Sequence, residues 1–361
     1  KNATEAAINR LRIGSTIVGM GWSVTTALLQ PSGMAQSWSR IGGKWAAKGV
    51  YAYLSHPLEA PDFINVRSAL MRSRGRTMQR EINEVLNTVR AGDQVSALTA
   101  SYFVLIGKLQ RVVDIPTWLG AYAKGLDTLN YEAAADEAAR KTIEETASAL
   151  ADQAVIDSQS GGQLKDLAKV QRGSPLNKIW TNFYSYFSAT YNLNVEAYRR
   201  TDFRSPVSVM ALAVDAVLLN TVPVLFSLAL KEMLKGDCDY DLECLTKKLG
   251  HEQLNFLFGQ MILLREVGTA VDVAVGGNAY GYSGPAGLRF FADLYKTGQQ
   301  VQQGDADMAL FKSANSVAGA VLHYPAAQIN RTVEGIIAVE EGRVEGVSIL
   351  PALVAGPPRK P

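Results

Sequence analysis

VSVMALAVDAVLLNTVPVLFSLAL, residues 207–230, is the most apolar run in the chain, and its one charge is Asp215. Arg199, Arg200 and Arg204 precede it, and Lys231 and Lys235 follow it. As helix its 24 residues extend about 36 Å, enough to cross a hydrocarbon layer of roughly 30 Å. Thirteen of them are Val, Leu or Phe, favouring insertion by roughly 4 to 8 kcal/mol in total. Asp215 opposes this by about 3 kcal/mol, and Asn220 and Pro223 add to the cost. The balance is close to even. Such a segment is not an obligatory span, but it enters a membrane with help.

A second apolar block, Leu254 to Leu264 and Val267 to Gly276, is split by Arg265-Glu266. If the intervening 236–244 segment turns, the blocks form an antiparallel helical hairpin over 205–275. Counted from a turn near Asp239, Asp215 and Arg265 lie level to within one helical turn. The expectation is a buried ion pair, because a partner inside the hairpin lowers the insertion cost of both charges; the alternative is that both face a polar seam within a larger soluble bundle. Within the turn, Cys238 and Cys244 form either a small disulfide loop, which requires an oxidising compartment, or two free thiols. Asp237, Asp239 and Asp241 resemble the start of a calcium loop. However, Leu242 stands where the sharp-turn Gly belongs and Lys248 where the bidentate Glu belongs, which argues against calcium.

Elsewhere the pattern is helical, with Gly and Pro between long blocks and few period-two stretches. The fold class expected is all-α, an elongated multi-helix bundle around the apolar hairpin. Its regions are 1–160, 161–350 and a tail at 351–361 that is either disordered or an end cut from something longer, with the joint at Gly161-Gly162. One helix is expected over 3–30, with Ser15, Gly19, Ser23 and Ala27 on one face as a packing groove or in a buried core. Helices are also expected from Phe63 to Ala91 and from Gln94 to Val113, with a break at Ile115-Pro116. Further helices are expected over Asn130 to Ser158, 285–303 and 305–322. Trp180, Phe183/Tyr184, Phe187 and Tyr191 recur at helical spacing, as helix core or as an interfacial belt beside the apolar run.

The 361 residues are 47% hydrophobic and 19% charged with net charge +2, so no global bias points to nucleic acid. Locally, Arg67, Arg72, Arg74, Arg76 and Arg80 form a basic run and residues 127–157 are acidic, either as ordinary solvated helix faces or as surfaces that meet a partner, a neighbouring subunit or DNA phosphates. The chain opens on Lys1 without a signal peptide, which suits a processed chain or a piece of a longer one. His56, His251 and His323 form no metal-ligand cluster with the cysteines. The glycines at 276–287 lack the strand and Lys of a phosphate loop. No Ser/His/Asp or Cys/His set stands out, and adjacent carboxylates such as Glu144-Glu145 do not face each other on a helix. The expectation is a non-enzyme with neither metal nor cofactor.

Two motifs carry a resemblance. Leu322, Pro325, Gln328, Arg331-Thr332 and Gly335-Ile336, together with Gly173-Ser174-Pro175-Leu176…Trp180…Phe183-Tyr184-Ser185-Tyr186-Phe187, resemble the large polyvalent proteins of phages and prophages. The likeness spans roughly residues 115 to 340. Some members are internal virion proteins of short-tailed phages. The resemblance implies a structural protein of the virion interior, ejected into the host periplasm and inner membrane. There it would form a homo-oligomeric ring with other ejection proteins and help build a conduit for the genome. The alternative is an integral membrane channel or transporter fragment.

Overall fold

Local sequence signals start and stop many of the helices. In a computed structural model, residues 3–76, 101–159, 184–236, 238, 241–261, 286–304 and 307–358 are described. Among them every long element is helical and there is no strand, so the fold is all-α. The helices are α1 Ala3–Met20, α2 Val24–Leu29, α3 Met34–Ile41, α4 Gly43–Ser55, α5 Glu59–Arg67, α6 Ala69–Arg76, α7 Val104–Thr128 and α8 Glu137–Gln159. They continue as α9 Tyr184–Arg200, α10 Pro206–Asn220, α11 Val222–Lys235, α12 Leu242–Gly259, α13 Ala286–Gln303, α14 Met308–Leu322, α15 Ala326–Glu340 and α16 Ile349–Ala355. Ser205 caps α10 with Pro206 at its first turn, and Asp241 caps α12 through the Cys244 N–H at 2.9 Å. Asp307 caps α14 through two N–H groups at 3.0 Å, and α11 ends on Gly236 at φ +61°.

The main core lies between α3–α6 on one side and α7–α8 on the other. Trp118 and Tyr122 stack at 5.0 Å, and Phe63 meets both edge-on. Two glycines let α4 approach α7 at backbone distance. A Cβ at Gly49 would lie 2.0 Å from the Pro116 carbonyl oxygen, and one at Gly120 would lie 2.3 Å from that of Trp45. Gly49→Val should therefore force the helices apart and destabilise the fold by about 3 kcal/mol. A denaturant midpoint unchanged from wild type would refute that packing. A second core joins Ile13, Ile17 and Ala27 to Tyr102, Phe103 and Ile106. A third joins Val18 of α1 to Ala320 and Ala326. Contacts therefore cross the boundary set at 160/161: α1 lies on α13, α14 and α15, and α3 lies on α9 and α10. The joint at Gly161-Gly162 lies outside the described residues.

Several expectations need correction. The 3–30 block is two helices, broken where Trp22 takes φ +52° and donates its N–H to the Tyr102 carbonyl. Ser15, Gly19, Ser23 and Ala27 consequently do not share one face. The close approach of α1 is made instead by Gly14, against the backbone of Ala320. Pro116 does not break its helix; it lies buried inside α7, where packing against α4 offsets the lost backbone bond. The acidic helix starts at Glu137, after Asn130 turns the chain at φ +53°. Within the tail, residues 351–358 are described and are not disordered. Through Ala355 it is helical and bound to α15: Gln328 donates to the Val354 carbonyl at 2.9 Å and Thr332 to that of Leu353 at 3.0 Å. The 205–275 hairpin is not established. α10 and α11 run on as one apolar rod, α12 returns against α11, and residues 262–285 lie outside the described residues.

Candidate functional surface: an apolar rod on a polar seam

Water normally turns the polar side of a surface helix outward. The α10–α11 rod departs from this on its outer side. Val207, Val209, Met210, Val214, Val217, Leu225, Phe226 and Met233 are exposed, whereas Asp215, Ser227 and Glu232 are buried together with Leu219, Val224, Leu228 and Leu230. Its most apolar 18 residues have mean hydropathy 2.1, yet only 22% of them are buried. A core helix of the same composition would be mostly covered.

The inner side of the rod rests on a hydrogen-bonded seam. Asp215 Oδ1 accepts from Ser39 Oγ at 2.7 Å, and its Oδ2 is held by Arg200 Nη2. Just over one helical turn beyond Asp215, the Asn220 side chain exchanges hydrogen bonds with Asn194 at 3.0 and 3.2 Å and accepts from Gln260 at 2.7 Å. The seam continues inward. Gln36 donates to Thr190 at 2.6 Å, Ser37 meets Thr117 at 2.6 Å, and Gln159 donates to Ser37 at 2.9 Å. The short helix α3 buries Gln36, Ser37 and Ser39 beside Ala35 and Ile41, while Trp38 faces out. Burial of the Tyr186 ring beside this seam pushes its hydroxyl pKa well above the ordinary value.

Both ends of the rod carry further features. At the amino end Tyr198 and Phe203 are exposed, their rings 5.3 Å apart, beside Arg199 and Arg204. Aromatic and cationic residues at such a boundary suit a bilayer interface. At the carboxy end Cys238 and Cys244 are joined by a disulfide, and the buried Glu232 carboxylate accepts the Cys238 N–H. Lys231 pairs with Glu252 of α12 at 2.6 Å. Asp241 serves as the α12 cap, while Asp237 and Asp239 lie outside the described residues.

The other expected sites are only partly assembled. Arg265, the expected partner of Asp215, lies outside the described residues; within them Ser39 and Arg200 fill that role. The five-arginine patch is not one exposed surface. Arg67 lies over the Phe63 ring at 3.8 Å and Arg72 is exposed, but Arg74 turns inward to Asp114 at 2.8 Å. The Arg76 side chain and Arg80 lie outside the described residues. Of the aromatic stripe, Phe187 packs on Phe256 at 5.7 Å and Tyr191 is exposed, while Trp180 and Phe183 lie outside the described residues. The Tyr198–Phe203 pair was not expected, although its place just ahead of the apolar run was the available signal. No family model, curated protein or solved structure matches the chain.

Proposed function

We propose that this chain is a structural protein without enzymatic activity that is soluble first and lodges in a membrane later, through the α10–α11 rod. The role that suits it best is that of an internal virion protein of a phage. It would leave the particle with other ejection proteins, reach the host periplasm and inner membrane, and assemble with its own copies into a ring-shaped conduit for DNA. The observation that supports this reading is the uncovered apolar flank of the rod. The rod's 30 residues, about 45 Å as helix, are long enough to cross a bilayer. Its exposed flank already has the composition lipid would select, and its polar groups face protein partners, as polar groups at membrane depth do.

The test is flotation of the purified chain, prepared without detergent, on lipid vesicles. The wild type is expected to float, and electron microscopy of the bound protein should show rings. Val214→Asn/Val217→Asn/Leu225→Asn, with helicity confirmed by circular dichroism, is expected to stay behind. A second reading, an integral channel or transporter, is favoured by the length of the rod alone and predicts a chain that stays dispersed only in detergent. A detergent-free monomer that never floats would overturn both.

A further inference from the structure

A separate surface, away from the rod, also has a distinctive composition. α4 packs on α7 along the side carrying Ala46 and Gly49. On the opposite side Lys44, Lys48, Tyr51 and Ser55 follow one line at 3.6 residues per turn, with Leu54 beside it. Tyr51 is 75% exposed and Leu54 71%, and Leu58, just past the helix end, is 87% exposed. The Lys44 and Lys48 ammonium groups lie 4.4 and 5.4 Å from the centre of the same Trp45 ring. Two cations thus converge on one indole. α4 carries no acidic residue, and among the described residues neither lysine is in an ion pair. The nearest acids along the chain are Glu59, which faces His56 at 3.6 Å, and Asp62, both in α5.

We infer that the outer face of α4, namely Lys44, Lys48, Tyr51 and Leu54 continued by Leu58, is a docking surface for an anionic bilayer. The charge pattern decides the sign of the partner. Two lysines resting on an indole present their ammonium groups at headgroup level while their stems cover the ring. The leucines decide its class. A free phosphate or a duplex would engage the lysines and leave Leu54 and Leu58 in water, whereas an acyl-chain boundary gives them cover. The surface is independent of α10–α11: its lysines set a preference for lipid charge, whereas the exposed flank of the rod is apolar.

The experiment compares the full chain on phosphatidylglycerol/phosphatidylcholine vesicles and on pure phosphatidylcholine vesicles. Lys44→Glu/Lys48→Glu is expected to weaken binding to the anionic vesicles by at least about thirtyfold and to leave binding to the neutral ones unchanged. Leu54→Asn/Leu58→Asn should weaken the anionic arm while leaving its salt dependence intact. Loss of the rod, by contrast, weakens both arms, so failure of the two ideas is distinguishable. Equal binding of wild type and Lys44→Glu/Lys48→Glu to the anionic vesicles would overturn the inference. So would lysine-dependent binding to a DNA duplex without any lipid-charge preference.

Discussion

Arg74→Met is expected to destabilise the protein by about 3 to 5 kcal/mol, seen as a lower urea midpoint. The side chain leaves α6 and grips Asp114 of α7 with two nitrogens, Nε to Oδ2 at 2.8 Å and Nη2 to Oδ1 at 3.3 Å. The same Nη2 donates to the Gln159 carbonyl at the end of α8, at 3.1 Å. Gln110 adds a donor to Asp114 at 3.1 Å. The Asp114 side chain is only 3% exposed. Removing the guanidinium would strand a buried carboxylate with one neutral donor. That penalty, rather than loss of a favourable contact, dominates the effect. Two comparisons isolate it. Arg72→Met, at an exposed position on the same helix, should change stability by no more than about 0.5 kcal/mol. Arg74→Met/Asp114→Leu should recover most of the loss, since no charge then remains buried. A single variant as stable as wild type would show that Arg74 faces solvent and is free to contact DNA.

Arg74 illustrates which parts of the molecule were legible in the sequence. Helix starts carry local marks, because caps act within four residues, as the structure shows at Ser205-Pro206 and Asp241. The all-α class was legible for the same reason, from local propensity and punctuation. Charge pairing was not. Arg74 reads as one of five arginines in a basic run, and only the packing of α6 on α7, 40 positions away, turns it inward. Asp215 shows the same limit. Counting helical levels from a turn near Asp239 singled out Arg265. A like count from the 201–205 turn leaves Arg200 well short of Asp215, and Ser39, 176 positions away, supplies the other oxygen's donor. The uncovered apolar flank of α10–α11 was half legible. Composition showed that the run was apolar, but only the structure shows which side its acid faces and how little of the rest is covered. Pro116 and the 351–361 segment failed in the opposite direction: local signals for a break and for disorder were overridden by packing on α4 and α15.

Asp215→Leu should move two measurements in opposite directions. In water the substitution removes the acceptor of Ser39 and the partner of Arg200. Arg200 is nearly half exposed and regains water, so the loss is held to about 1 to 2 kcal/mol of stability. At a bilayer the same change removes the single charge between residues 207 and 230. Replacing Asp by Leu near the centre of a span favours insertion by about 3 kcal/mol, roughly a hundredfold in vesicle affinity. A protein that is less stable in buffer and binds vesicles more tightly is the signature of a segment balanced between two media. The native aspartate would then keep the rod on the body through Ser39 and Arg200 until a membrane is reached. Weaker stability with unchanged vesicle affinity would mean that position 215 does not enter lipid. Membrane contact would then be confined to the outward side of the rod, which would lie along the surface rather than cross it.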